Sequence, residues 1–356
     1  KYMNPEAARK MARFSQYAVA AAKMALDDAS IEANSDVIKD AAIFMGVGIG
    51  GFEVNEECCI KYSQSPQHRL PPMTIPELIP NEACGNISMA FGIHGPAHTV
   101  TTACASGSDA LGDALDFIRS GRRDICLAGG AESTINGFGI AGFEVLHALS
   151  TSFADNPAAA SRPFDKKREG FVMGEGSAVF VLEEYEHAKK RGAKIYAELA
   201  GYGGTSDGYH LTAPNPDGVW GAAAMTEALK DAGVKPEEVQ YYNAHGTATK
   251  KNDPCETQML KIAFGEENAK KLHISSTKSM TGHCLGATGA IEAMFAVKAI
   301  QEGFIPPTIN LDEQDVEGGC DLNYTPNKGI ECKVDCAMSS TFGFGGHNGV
   351  IVLKRI

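Results

Sequence analysis

The chain has 356 residues, enough for two domains with buried cores. Hydrophobic residues make up 44% and charged residues 21%, ordinary globular usage that excludes disorder, collagen-like repeats and coiled coil. Lys and Arg number 32 against 44 Asp and Glu, so the net charge of −12 has the wrong sign for a nucleic-acid-binding protein, and no apolar run reaches the roughly 18 residues of a membrane span.

In chain order, Ala8, Met11, Ala12, Tyr17, Ala20, Ala21, Met24 and Ala25 recur at helical spacing, predicting an amphipathic helix over 5–29 with a break in it. A short apolar strand over 41–45 runs into Gly46-Val47-Gly48-Ile49-Gly50-Gly51, where the glycines permit a tight turn or a close backbone approach. The same run is a weak dinucleotide-site signal, because no helix with a suitably placed acidic residue follows it. A β-α-β rhythm then appears, with a strand over 97–101, a helix over 106–119 and a strand over 124–128. Further strands are expected over 178–182, 239–243 and 349–353. The charged run 183–194 reads as a solvated helix and a seam between halves 1–192 and 193–356. Residues 289–301 read as an almost wholly apolar helix, buried on several sides.

Ten cysteines lack the compact spacing of a disulfide framework and are read as reduced thiols in a cytosol-like compartment. Adjacent Cys58 and Cys59, and Cys332 with Cys336, lack the second ligand pair that a zinc site needs, so no metal is expected. One cysteine differs. In Thr101-Thr102-Ala103-Cys104-Ala105-Ser106-Gly107, Cys104 stands between a strand and a helix among small residues. A thiol at a helix N-terminus sees the positive end of the dipole and free N–H groups, which favour the thiolate nucleophile.

Three later motifs supply partners for such a nucleophile. Asn243-Ala244-His245-Gly246-Thr247-Ala248-Thr249 places a histidine at the carboxyl end of a strand, where ligands bind in α/β sheets. Ser276-Thr277-Lys278-Ser279-Met280-Thr281-Gly282-His283 adds a lysine and a second histidine ahead of the apolar helix. Thr341-Phe342-Gly343-Phe344-Gly345-Gly346-His347-Asn348 offers backbone N–H groups in an aromatic-lined turn, suited to an oxyanion hole or a gate.

With Ala-Cys-Ala-Ser-Gly, Ala-His-Gly-Thr, Lys-Ser-Met-Thr-Gly-His and Gly-Phe-Gly-Gly in this order, the chain resembles the β-ketoacyl-acyl-carrier-protein synthases of the thiolase superfamily. The match is to the elongating Cys-His-His type, most like its second synthase. The resemblance runs from Tyr2 to the end, although the family's opening Val-Thr-Gly-x-Gly strand is missing. It implies an α/β, duplicated thiolase-like fold, layered α-β-α-β-α with two mixed five-stranded sheets, in a cytoplasmic homodimer. It also implies an acyltransferase of fatty-acid biosynthesis that condenses acyl and malonyl groups delivered on acyl carrier protein. The phosphopantetheine arrives on the carrier, so no separate cofactor is expected.

By the same resemblance Cys104 takes the acyl group, His245 and His283 stabilise the decarboxylated malonyl thioester, and Lys278 and Glu256 orient and hold charge. Backbone N–H groups of Cys104 and Phe344 form the oxyanion hole, and Phe344 is also the gate. Thr247 and Thr249 bind the pantetheine arm, and Ile49 and Phe143 line the acyl tunnel; from the residues themselves, Asp207 in Thr205-Ser206-Asp207-Gly208-Tyr209-His210 is expected to orient the gate loop or to cap a turn. His347 stands where the family more often has threonine. Polyketide ketosynthases share the triad, chain-length factors lose the nucleophile that Cys104 retains, and a cysteine hydrolase leaves the second histidine unexplained. Carrier docking is expected on Arg9, Lys10 and Arg13, with Arg119, Arg122 and Arg123.

Overall fold

The computed structural model describes residues 2–65, 67 and 69–356 and divides into two compact units. The first takes the chain up to Gly142 with Gly174–Lys194 and Cys284–Ile291; the second takes Phe143–Met173, Ile195–His283 and Glu292–Ile356.

In the first unit β1 (Ala42–Gly46), β2 (Ala97–Val100), β3 (Ile125–Glu132) and β4 (Gly176–Glu183) form a sheet in the order β2-β1-β3-β4. β1 runs parallel to β2 and β3, and β4 is antiparallel to β3. Every residue of β1 is buried, which is why this strand reads as an unbroken apolar run. Side chains alternate across it. Ile43 and Met45 join a core with Phe14, Val19 and Leu26 of helix Arg13–Asp28 and Ile87 of helix Glu82–Phe91. Each such side chain contributes about 1.5–3 kcal/mol of burial. On the other face Phe44 meets the Phe117 ring at 5.3 Å, beneath helix Ser106–Arg119. Gly46 makes that approach possible, because a Cβ there would lie 2.3 Å from the Ser106 carbonyl.

The second unit contains β5 (Glu198–Ser206), β6 (Tyr241–Asn243), β7 (His273–Ser275), a two-residue pair β8 (Phe304–Ile305) and β9 (Ile330–Glu331), β10 (Cys336–Gly343) and β11 (His347–Lys354). Its main sheet has the order β5-β11-β10-β6-β7. Helix Val219–Ala232 packs onto β5 through Gly203, where a Cβ would meet the Ala224 carbonyl at 2.1 Å. The core gathers Met225, Tyr242, Met259, Ile274, Tyr324, Met338 and Val352.

The two sheets repeat one topology. β2, β1, β3 and β4 correspond in order and direction to β7, β6, β10 and β11: three parallel strands, then one antiparallel. The difference is one strand. β5 pairs with the outer edge of β11, whereas no strand pairs with that edge of β4 among the described residues. Among the described residues the expected pair of five-stranded sheets is thus one of four and one of five. The expected break in the first helix falls between Ala8 and Arg13. The apolar helix, Thr288–Glu302, buries Ala293, Ala296 and Ile300 but exposes Met294 and Lys298, so it is not covered all round.

Candidate active site

In the second unit the chain leaves β6 at Asn243 and turns through Ala244 into His245. Glu256, on helix Asn252–Phe264, holds that turn. Its Oε1 accepts from the His245 N–H at 2.7 Å and the Tyr242 hydroxyl at 2.8 Å, and its Oε2 from the Gly246 N–H at 2.7 Å and Asn252 Nδ2 at 3.3 Å. Burial pushes Glu256 up to about 7 against the pull of these donors. Glu256 therefore acts on the backbone of the histidine turn.

The backbone N–H of His283 donates to the Val172 carbonyl at 2.7 Å. Its ring lies edge to face with His245, centroids 5.3 Å apart, and with Phe171 at 5.1 Å, while Phe342 covers His245 at 5.6 Å. Lys278 is buried and ion-paired with the equally buried Glu292. Burial pushes both imidazoles well below the usual histidine value; the Lys278 charge adds to this for each, and His283 adds to it for His245. Burial pushes Glu292 up to about 7, opposed by Lys278. Both histidines are thus neutral at pH 7, each with one N–H to donate and one nitrogen to accept. His245 Nδ1 is buried with no hydrogen-bond partner among the described residues.

Thr247 and Thr249 sit beyond His245 with hydroxyls 3.0 Å apart, and Thr249 Oγ1 also accepts the N–H of Asn252, the first residue of the helix that carries Glu256, at 3.2 Å. Between β10 and β11, Phe344 occupies a turn closed by Gly345 and Gly346, whose φ values of 89° and 80° favour glycine. Two hydrogen bonds tie this region to Asp207, and a third joins Asp207 to Asn215. The Asp207 N–H donates to the Gly346 carbonyl at 2.8 Å, Oδ1 accepts from Asn348 Nδ2 at 2.8 Å, and Oδ2 accepts from the Asn215 N–H at 2.9 Å. The Phe344 ring lies 6.4 Å from Phe143, which meets Phe171 at 5.5 Å, so a row of rings leads to His283. His347 packs its ring over Gly345.

Cys104 and Ile49 belong to the first unit. Cys104 is buried in the 3-10 turn Ala103–Ala105, which opens helix Ser106–Arg119. Ala103 takes a left-handed φ of 52°, uncommon outside glycine. The turn is held by the Ser106 hydroxyl, which accepts from the Thr102 N–H at 2.9 Å and donates to the Ala103 carbonyl at 2.6 Å. Burial pushes the Cys84 thiol up to about 11 and those of Cys126, Cys255, Cys320 and Cys336 up to about 12, which favours their thiol form at neutral pH.

The turn carrying Ile49 is closed by Glu132 at the end of β3. Its carboxylate accepts from the N–H groups of Gly48 at 2.8 Å, Ile49 and Gly50 at 3.3 Å, and Gly286 at 3.1 Å. The Gly48, Ile49 and Gly50 N–H groups that a phosphate would need are already occupied, which speaks against the weak dinucleotide signal of this glycine run. Of the expected docking cations, Arg13 is paired with Glu175 at 3.2 Å and Arg122 lies over the Phe117 ring at 5.4 Å.

The family model for the β-ketoacyl synthase N-terminal domain matches residues 2–188, and that for the C-terminal domain matches 196–312. The chain belongs to the β-ketoacyl synthase family. It is a condensing enzyme of the acyltransferase class with a thiolase-like ketosynthase fold. The synthase is 44% identical to a 3-oxoacyl-(acyl-carrier-protein) synthase 2 of Staphylococcus aureus (strain COL), over 99% of this chain and 84% of that protein. The protein of the same name from Synechocystis sp. (strain ATCC 27184 / PCC 6803 / Kazusa) is 45% identical, over 100% of this chain and 84% of its own. Among solved structures, a β-ketoacyl synthase from Burkholderia phymatum STM815 superposes with a TM-score of 0.92 at 37% identity, covering 99% of this chain and 85% of the other. A type II polyketide acyl-carrier protein in complex with its ketosynthase gives 0.88 at 37%, covering 97% and 85%.

Two buried acids escaped the sequence reading. Glu292 was visible as a single acid in an otherwise apolar stretch, and Glu132 as an acid closing a buried strand after Gly129-Gly130-Ala131. Both patterns mark a buried charge that needs partners.

Proposed function

We propose that this synthase elongates fatty acyl chains by decarboxylative condensation, with Cys104 of half 1–192 as the nucleophile and the histidines of half 193–356 as the charge-stabilising groups. The Cys104 sulfur attacks the thioester carbonyl of acyl carrier protein. The carbon–sulfur bond to phosphopantetheine breaks, leaving acyl-Cys104 and a carrier thiol. A malonyl carrier then loses carbon dioxide. The electron pair of the broken carbon–carbon bond passes into an enolate, whose oxygen accepts hydrogen bonds from the neutral imidazoles of His245 and His283. The enolate carbon attacks the acyl carbonyl, the bond to Cys104 breaks, and β-ketoacyl carrier protein leaves.

The observation that carries the proposal is the pair of neutral, edge-to-face imidazoles beside the buried Lys278–Glu292 pair. The N–H groups of Cys104 and Phe344 serve as the oxyanion hole, Thr247 and Thr249 hold the pantetheine arm, and Ile49 and Phe143 line the acyl site. Carrier docking on Arg9, Lys10, Arg119, Arg122 and Arg123, with Arg13 engaged by Glu175, a homodimeric state and a cytoplasmic location complete the reading. A polyketide ketosynthase is the second reading, favoured by the polyketide structure above. The 44–45% identity to 3-oxoacyl synthases, against 37% there, places fatty-acid elongation first.

The test is intact-protein mass spectrometry after incubation with acyl carrier protein loaded with chains of several lengths, for wild type and Cys104→Ala, with malonyl-carrier decarboxylation followed in parallel. An acyl adduct on wild type alone, converted to β-ketoacyl carrier on adding malonyl carrier, is expected. An adduct discharged only to water overturns the proposal in favour of a hydrolase, and no adduct does so in favour of a chain-length-factor role.

A further inference from the structure

Glu132 stands apart from every residue assigned above. It is fully buried, and no cation neutralises it among the contacts of its carboxylate. Among the described residues its partners are backbone N–H groups, three of them consecutive in Gly48-Ile49-Gly50 and the fourth from Gly286. Consecutive N–H groups converging on one point form a concavity for an anion, and here the chain fills it with its own carboxylate. A buried carboxylate is costly unless its lone pairs are taken, so four donors on one acid mark a position where the turn geometry is worth that cost.

The turn around the carboxylate is enclosed. A Cβ on Gly48 would lie 2.5 Å from Glu132 Oε2 and 3.3 Å from the Gly286 nitrogen, and one on Gly51 would lie 2.2 Å from the Glu77 carbonyl. Gly50 has a φ of 95°, where any side chain is strained. Ile49 is thus the single side chain that residues 48–51 carry, it is half-buried, and its amide sits 3.3 Å from each carboxylate oxygen. Where Ile49 points is set by where its N–H is held.

We infer that Glu132 is a positioning residue for acyl-chain selectivity, fixing Ile49 at the wall of the acyl site through the backbone of the Gly48–Gly50 turn. This rests on the reading of Ile49 as an acyl-site residue. Glu132 touches no substrate. Its carboxylate gives four acceptor directions to four donors, a set that neither a glutamine nor a shorter acid reproduces. The amide of Glu132→Gln turns an N–H₂ toward at least one of those N–H groups, and Glu132→Asp withdraws the acceptor by one methylene. Gly48→Ala perturbs the same contact from the other side, with Glu132 retained.

The experiment measures kcat/KM for a short and a long acyl carrier substrate in full-length wild type, Glu132→Gln, Glu132→Asp, Gly48→Ala, Ile49→Ala and the Glu132→Gln/Ile49→Ala double variant, with thermal unfolding of each. Expected is a change in the long-to-short ratio of about tenfold for Ile49→Ala, the size of a one-methylene discrimination in an apolar pocket. Glu132→Gln and Gly48→Ala should move the ratio by a comparable factor, Glu132→Asp should restore part of it, and the double variant should add little beyond Ile49→Ala. If Ile49→Ala moves the ratio while folded Glu132→Gln and Gly48→Ala scale both substrates equally, Glu132 is merely structural and the inference fails. If Ile49→Ala leaves the ratio unchanged, the acyl-site reading of Ile49 fails and the inference falls with it. Should Glu132→Gln not fold, Gly48→Ala and Glu132→Asp decide by the same ratio.

Discussion

His245 and His283 stand edge to face with ring planes at 88°, and both are held neutral by burial and by the positive charge of Lys278. Neutrality matters because an imidazolium would attract the malonyl carboxylate and favour its retention, whereas a neutral N–H stabilises the enolate oxygen as charge develops there.

The first prediction concerns that neutrality. A histidine whose folded value is depressed binds no proton as pH falls through 6.5, the ordinary value. Two of the ten imidazole signals, identified by their loss in His245→Gln and His283→Gln, should therefore keep their neutral chemical shifts through pH 6.5. Below that pH the unfolded chain binds protons that the folded one does not, so these two residues make stability fall on acidification. A normal titration of either signal would remove the charge argument.

The second prediction concerns the buried pair. Lys278→Met leaves Glu292 without its cation and should cost about 3–5 kcal/mol by urea unfolding, whereas Lys278→Met/Glu292→Gln should recover most of it. Glu292 is raised to about 7 with the lysine in place and loss of that cation raises it further, so the single variant's penalty relative to wild type should grow as pH rises above about 7. Removing the lysine charge should also raise both histidines. A single variant as stable as wild type at pH 8 would show that Glu292 finds other compensation.

Much of this arrangement is legible in the sequence, and the gaps have physical causes. Strands buried on both faces, such as β1 and β3, announce themselves as apolar runs. Cys104, His245 and His283 stand out because small or glycine neighbours surround a reactive side chain. Helix Asn252–Phe264 is not legible in the same way, because it buries Asn252, Asp253, Glu256 and Thr257 along with its apolar residues and so blurs the helical period. β5, with three glycines in nine residues, hides because two of them, Gly201 and Gly203, serve close helix packing. Glu132 and Glu292 escape because their partners lie 84 and 14 residues away, and only folding joins them.

The third prediction tests Asp207. Its carboxylate joins Asn348 of β11 to the Asn215 N–H, while its own N–H holds Gly346. Asp207→Ala removes both side-chain contacts and should free the Phe344 turn, lowering kcat/KM for acyl-carrier substrate about tenfold, with Asp207→Asn retaining part of it. A simple turn cap predicts instead a lower melting temperature with unchanged kinetics in the surviving folded protein.

The fourth prediction addresses how Cys104 is presented. At Gly46 a Cβ would fall 2.3 Å from the Ser106 backbone carbonyl and 2.4 Å from the Gly107 nitrogen, two and three residues past the nucleophile. Backbone atoms cannot rotate away as a flexible side chain would, so in Gly46→Ala the start of helix Ser106–Arg119 must withdraw from β1. Overpacking of this kind costs about 1–3 kcal/mol. The displacement falls on the strained Ala103-Cys104 turn, so acylation of Cys104 should slow by about a hundredfold, the loss expected of a misplacement near 1 Å. Gly142→Ala is the matched control. Among the described residues no atom outside its own helix turn and chain neighbours lies within 4 Å of its added methyl group, so stability should stay within about 0.5 kcal/mol and acylation should be unchanged. Acyl-adduct formation timed by mass spectrometry separates the two, and equal rates in both variants would show that the helix start yields without moving the thiol.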